Sequence, residues 1–301
     1  MLDKNVLATN LLLFFKSMNG GTNQQFASDF ADKIDQWYCS TSGTTVDGGT
    51  ISSGAFLGSG TVSKVNGQPN VLSTSILSAC TIIDSTKPNN AKELFANSLS
   101  NGYVLYTKAS IIECNVNGTV TSGGSASPMS GTSKGIITLY NDPTEISIED
   151  YTCDVCENIL LSPNLTKGSI EVKYTYDEQD FTSVDDKEGN INGDYVHGTV
   201  DYSNGKISLY VDEEFAQDIT TCKVSYKFTS DFYGDVLRLI NELDVQGNES
   251  QAEYMTRLGG DSDKYFADNL ADILYTQTTS VLLMTIGNES LLGSVGIGKL
   301  F

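Results

Sequence analysis

Several short stretches of this 301-residue sequence carry residue types that could do chemistry. Gly293 to Lys299, in GSVGIGKLF, fit the first seven places of a phosphate-binding loop: Gly, four residues, Gly, Lys. Such a loop cradles phosphates with backbone N–H groups at the start of a helix, and a Ser or Thr after the lysine holds magnesium. Leu300 takes that place and Phe301 follows it, so the magnesium ligand is missing and no helix is expected to follow. GTSKG, Gly131 to Gly135, spells the G-x-S-x-G of serine hydrolases. That motif needs a strand-to-helix elbow, and no helical pattern follows it here.

Metal chemistry fares no better. Cys153 and Cys156 form the one CxxC pair among six cysteines (Cys39, Cys80, Cys114, Cys153, Cys156, Cys222). A structural zinc site needs a second pair or two histidines, and His197 stands alone. The expectation is reduced thiols in a chain made in a cytoplasm, with metal or a disulfide at Cys153 and Cys156 left open. The acidic stretch 177–194 invites calcium, but Gly189 at the glycine place of an EF-hand loop puts Val184 where an acidic ligand belongs. A solvated turn bent at Gly189 and Gly193 is the better account, and an irregular calcium site stays open. His197 lies on the opposite phase from Val196 and Val200, without a nucleophile, and reads as a polar face residue. The sequence therefore predicts no catalytic residue, no cofactor and no small-molecule substrate.

The elements that hold these stretches follow from composition and periodicity. Hydrophobic residues make up 39 % and charged residues 19 %, with 28 glycines against 5 prolines, a mix suited to short strands and turns. The formal charge of −20 excludes the basic face that nucleic-acid binding requires. Leu7, Leu11, Phe14 and Phe15 recur at helical spacing, predicting an amphipathic N-terminal helix that docks rather than a cleaved leader. No stretch reaches the roughly 18 apolar residues of a membrane span.

A seven-residue theme occurs three times: FASDFAD at Phe26, FANSLSN at Phe95 and FADNLAD at Phe266. Phe26 and Phe30, Phe95 and Leu99, and Phe266 and Leu270 are the anchors of three predicted helices. After each comes a short β-prone run and then a glycine-rich stretch, with Gly54, Gly58 and Gly60 in the first, Gly123, Gly124 and Gly131 in the second, and Gly293, Gly296 and Gly298 in the third. Such stretches bury few side chains of their own, so they read as assembly arms that dock on a neighbour by strand addition; the alternative is that the copies pack only on each other.

Between about residues 136 and 230 the pattern turns to period two: Ile170, Val172, Tyr174, Tyr176; then Val196 and Val200 through Asn204-Gly205 to Ile207, Leu209 and Val211; then Cys222, Val224, Tyr226 and Phe228. Asn-Gly between alternating strands is a strong hairpin signal. The expected fold is α+β: three short helix-plus-glycine-rich-arm repeats around a small antiparallel β-sandwich or barrel, divided as 1–135, 136–230 and 231–301.

The FAxxLA helices, the GxGxG stretches and GTVDYSNGKISLYVDEE together resemble segments of structural proteins of tailed bacteriophage particles. That resemblance implies a non-enzymatic component of a capsid, neck, tail or baseplate, located in the virion. Its partners would be other virion proteins, with further copies of itself in a homo-oligomer. The alternative is a surface adhesin or carbohydrate-binding protein, which exposed tyrosines around Tyr174 and Tyr176 would favour.

Overall fold

The computed structural model describes residues 2–18, 21–88, 90–138, 144–155, 159–161, 165–203, 205–246 and 248–301. The chain divides into two compact units, Met1–Tyr140 with Ala267–Phe301, and Asn141–Phe266. The expected third region is thus shared out, because its last 35 residues, Ala267–Phe301, return to the first unit.

In chain order the first unit opens with α1 (Lys4–Ser17), α2 (Asn23–Tyr38), β1 (Gly43–Ile51), β2 (Gly54–Asn66), α3 (Pro69–Thr86), α4 (Ala91–Ala109), β3 (Ile111–Ser122) and β4 (Ser125–Thr138). The second unit follows with β5 (Thr144–Asp154), β6 (Ile159–Leu160), β7 (Glu171–Tyr176), β8 (Gln179–Asp185), β9 (Asn190–Asn192), β10 (Val196–Asp201), β11 (Lys206–Val211), β12 (Thr221–Ser230), α5 (Phe232–Glu242) and α6 (Gln251–Arg257). The chain then runs through α7 (Ser262–Thr279) into β13 (Leu282–Gly287) and β14 (Ser294–Leu300) of the first unit.

Local chemistry accounts for the helices. Thr22 starts α2 with a reciprocal capping box to Gln25, and Asp3 caps α1 through the Asn5 N–H. Leu7, Leu11 and Phe14 of α1 are buried, with Phe14 set 5.7 Å from Phe30 and the Trp37 indole N–H donating to the Asp3 carbonyl at 3.0 Å. The predicted N-terminal helix does dock. Phe30, Leu99 and Leu270 are buried, while Phe26, Phe95 and Phe266 are half-buried at the helix starts. Tyr103 of α4 shares a hydrogen bond with Thr278 of α7, and the Tyr106 hydroxyl donates to Asp35 of α2 at 2.7 Å. α3 carries no Phe-Ala theme and falls outside the sequence-based expectation; Pro69 begins it, and Leu72, Ile76 and Ala79 form its buried stripe.

Each helix that carries a theme leads into a hairpin: α2 into β1–β2, α4 into β3–β4, and α7 into β13–β14. The hairpins close an antiparallel barrel of six strands in the order β1-β14-β13-β4-β3-β2. This corrects the expected architecture. The barrel is built by the flanking glycine-rich segments and not by the middle of the chain. The middle forms an antiparallel eight-stranded sheet, ordered β5-β12-β7-β8-β9-β10-β11-β6. Its period-two residues behave as read: Val172, Tyr174, Val196, Ile207, Leu209 and Val224 share one core. The β10–β11 hairpin is present with Asp201 opposite Lys206; Asn204 and the side chain of Phe228 lie outside the described residues.

Candidate assembly surface

The barrel interior explains the glycines. Eight strands give a barrel just wide enough to be filled by side chains, and diameter falls with strand number. A six-stranded barrel must therefore keep many inward positions small. Into this space β1 turns Thr45 and Asp47, both buried. The Thr45 hydroxyl donates to Asp47 Oδ2, and the Thr285 hydroxyl of β13 donates to Asp47 Oδ1 at 2.7 Å. A buried carboxylate needs such donors. Gly296 and Gly60 make the room: a side chain at Gly296 would run into Asp47 Oδ1 and Thr285 Oγ1, and one at Gly60 into Thr45 Oγ1. On the other side a Cβ at Gly131 would lie 2.8 Å from Leu291, and one at Gly135 2.8 Å from Leu283. Burial, followed by the Asp47 charge, pushes the Cys114 thiol up to about 11 against the opposing hydrogen bond of Ser133.

The remaining glycine positions serve the same closure. Gly58 and Gly298 lie where neighbouring backbone comes close, at Asn117 O and Thr44 O. Gly54 and Gly293 sit at hairpin bends against Thr121 O and Thr50 O, and Gly123 and Gly124 form the β3–β4 turn in open space. Because β2, β4 and β14 each have two hydrogen-bonded neighbours inside the barrel, strand addition has no edge to use at these segments. Closure removes the edges. The arm reading fails in that form, and the reason is physical: the partner backbone that a glycine-rich strand approaches is its own chain.

The outer face of the barrel is unequal. Val46 of β1 stands opposite Ile297 of β14, which stands opposite Met284 of β13, which stands opposite Ile136 of β4. One step along the strands, Leu57 of β2, Gly48, Val295 and Ile286 form a second row. Residues on these rows keep large apolar surfaces in solvent, from 43 % for Met284 to 70 % for Leu57, with Ile297 at 58 % and Val295 at 59 %. The rows run over five of the six strands and so wrap most of the closed barrel; the part that faces one way is centred on β1, β14 and β13, with Val46, Ile297, Val295, Met284 and Ile286. The chain has 38 Asp and Glu residues, yet strands β2, β1, β14, β13 and β4 turn none outward; the single carboxylate among them, Asp47, points in. Lys134 and Lys299 are exposed positions beside the rows. The Lys299 of the phosphate-loop match is thus an outward strand residue, and GTSKG likewise lies within β4. Sequence periodicity could have found this face only in reverse, because the apolar phase of Val295 and Ile297 faces water and the glycine phase faces in.

In the second unit the other chemical candidates settle into structural roles. Asp185 accepts from the N–H of Gly168 at 2.6 Å and of Lys187 at 2.8 Å, and from the Tyr202 hydroxyl. Asp186 accepts from the N–H of Glu188 and Asn190 and from the Asn190 side chain, which holds its carboxyl at about 2. These aspartates tie a turn with acceptors that a calcium ion would otherwise take, and no cluster suited to a metal occurs among the described residues. His197 sits 3.6 Å from Asp212 with its ring beside Tyr210. Tyr174 is only 4 % exposed and stacks on Phe181, while Tyr176 packs against Tyr195 and Phe215. Tyr174 is therefore a core residue, while Tyr176 keeps part of its ring in solvent. Arg257 forks onto Glu249 at 3.0 and 2.7 Å and onto the carbonyls of Glu242 and Asp244, so it ties α6 to the loop before it. Cys153 lies in β5 opposite Cys222 of β12, and Cys156 lies outside the described residues.

No protein family and no characterised protein matches the sequence. Among solved structures, the crystal structure of Xanthomonas campestris FlgL aligns over 91 % of this chain and 85 % of that one, at 8 % identity and a TM-score of 0.17. At that score the likeness carries no argument about fold or role. No described helix is long and apolar enough to cross a membrane.

Proposed function

We propose that the chain is a non-enzymatic structural protein that self-assembles through the outer face of β1, β14 and β13, as a component of a bacteriophage particle of the kind its sequence resembles. The observation that carries this reading is the patch of Val46, Met284, Ile286, Val295 and Ile297 on those three adjacent strands. Fully burying one such side chain is worth roughly 1.5–3 kcal/mol, and contiguous exposed apolar patches mark interaction sites. The occupant is a second copy of the chain. At −20 per chain, two copies repel over most of their surface, and this face lets them meet without setting carboxylate against carboxylate. Depletion of charge at the centre is the usual composition of an interface core, and Lys134 and Lys299 beside it attract acidic surface of the other copy.

In this reading α2 with β1–β2, α4 with β3–β4 and α7 with β13–β14 are three copies of one helix-plus-hairpin segment. The Phe-Ala theme in each helix supports that. Copy three carries most of the apolar exterior, with Met284, Ile286, Val295 and Ile297, copy one adds Val46 and Leu57, and copy two, otherwise polar, carries Ile111 and Ile136. Hydroxyl-radical footprinting over a concentration series tests the contact: Met284 oxidises readily in dilute protein and becomes protected as concentration rises. Equal oxidation of Met284 at every concentration removes the second copy as occupant.

A further inference from the structure

We infer that Cys153 and Cys222, and not the CxxC pair, form the redox-active thiol pair of this chain. The two residues are direct register partners on adjacent antiparallel strands, β5 and β12. Such partners hold their Cα atoms about 4.5–5.5 Å apart with Cβ atoms on one face, inside the roughly 4.4–6.8 Å window that a disulfide spans. Their sulfurs already lie 3.5 Å apart. Bond formation needs only side-chain rotation, with no shift of strand register. Both belong to the core face of the second unit's sheet, Cys222 buried and Cys153 half-buried.

Access comes from a splay in the sheet. β12 pairs with β7 only from Lys223 to Ser225, opposite Lys173 to Glu171. Beyond that point a cleft of about 400 Å³ opens, lined by Cys222, Tyr174, Lys173, Lys223 and neighbouring threonines. A low-molecular-weight disulfide is attacked by the thiolate of one cysteine of the pair, giving a mixed disulfide and releasing one small thiol. The other cysteine then attacks the protein sulfur of that mixed disulfide and displaces the second small thiol. The protein loses two protons and two electrons, and the reagent disulfide is reduced to two thiols. The product staples edge strand β5 to β12 and encloses β6 through β11 in one covalent loop, which constrains the unfolded chain.

The test uses the unaltered full chain. It is incubated with hydroxyethyl disulfide under native conditions, alkylated, and examined by intact mass and peptide mapping without reduction. The expected result is two fewer alkyl groups than in the reduced chain alkylated in denaturant, with Cys153 and Cys222 in one cross-linked peptide pair, and a thermal midpoint for the second unit several degrees higher than in the reduced chain. A Cys153–Cys156 link, a persistent mixed disulfide, or thiols that all remain alkylated in the native chain overturns the inference.

Discussion

Hairpins β3–β4 and β13–β14 are neighbours in the same closed barrel, joined edge to edge by β4 and β13, yet their outer faces differ in kind. β3 turns out Glu113, Asn115, Asn117 and Thr119, with Ile111 and, on β4, Ile136 as the hairpin's large apolar exceptions, while β13 and β14 turn out Met284, Ile286, Val295 and Ile297. Their inward faces share one feature: Gly131, Ser133 and Gly135 on one side and Thr285, Gly296 and Gly298 on the other keep part of a crowded interior small, beside the large Ile112, Val116 and Leu283. The fold therefore requires the interior pattern from both hairpins and tolerates a polar exterior on one of them. The apolar exterior of the other serves no fold requirement, and that is what the proposed contact between copies rests on.

If the interior rule is common to both hairpins, filling either one should do similar damage. Gly296→Val, which drives carbon into Asp47 and Thr285, and Gly135→Val, which meets Leu283 and Ile112, are each expected to lose about 2–3 kcal/mol in urea unfolding. Tolerance of either substitution within about 0.5 kcal/mol breaks the shared rule. The exterior should behave in the opposite way. Ile297→Asp, at an exposed strand position, is expected to leave unfolding within about 0.5 kcal/mol of the parent while removing about 2 kcal/mol or more from self-association.

A smaller effect probes what couples the two hairpins through their helices. Tyr103 of α4 and Thr278 of α7 share a buried hydrogen bond, and Tyr103→Phe should lose about 1 kcal/mol. Burial pushes the Tyr103 and Tyr106 phenols above their ordinary 10. A raised pKa on an acid that ionises to an anion means that their stabilisation is complete below pH 10 and falls as pH rises beyond it. A stability profile of the first unit that stays flat from pH 9 to about 11 contradicts this. The smallest effect lies in the second unit and serves as a control. The Asp186 carboxyl is held at about 2 against an ordinary 3.8, chiefly by Asn190. Its contribution is complete above 3.8 and is lost as pH falls toward 2. Asp186→Asn should flatten that limb of the acid-unfolding curve and leave association unchanged.

The sequence made some of this legible and hid the rest for definable reasons. Phe30, Leu99 and Leu270 announce their helices because a helix buries a 3.6-residue stripe, and Val172 and Tyr174 announce a half-buried strand by alternation. Asn-Gly marks the β10–β11 turn through backbone chemistry alone. Glycine carries no such signal. In GSVGIGKL the inward phase holds Gly296 and Gly298 while Val295 and Ile297 face out, and in GAFLGSGTV Gly58 and Gly60 share the inward phase with Phe56 while Leu57 faces out, so the rule of apolar-in points the wrong way at these positions and the stretches read as arms. Asp47 looks like a surface carboxylate until β13 brings Thr285 to it from 238 residues away. Cys153 and Cys222 likewise meet only through strand register, at a separation of 69 residues.

The central claim, that the apolar side of the barrel is where two copies meet, is tested most directly by sedimentation equilibrium on three proteins: the parent, Ile297→Asp and Asn117→Asp. The same charge is added to the two sides of one barrel. The account predicts that the parent and Asn117→Asp rise with concentration to twice the chain mass, while Ile297→Asp stays at the single-chain mass. A parent that remains single at every concentration, or two variants that shift alike, contradicts it.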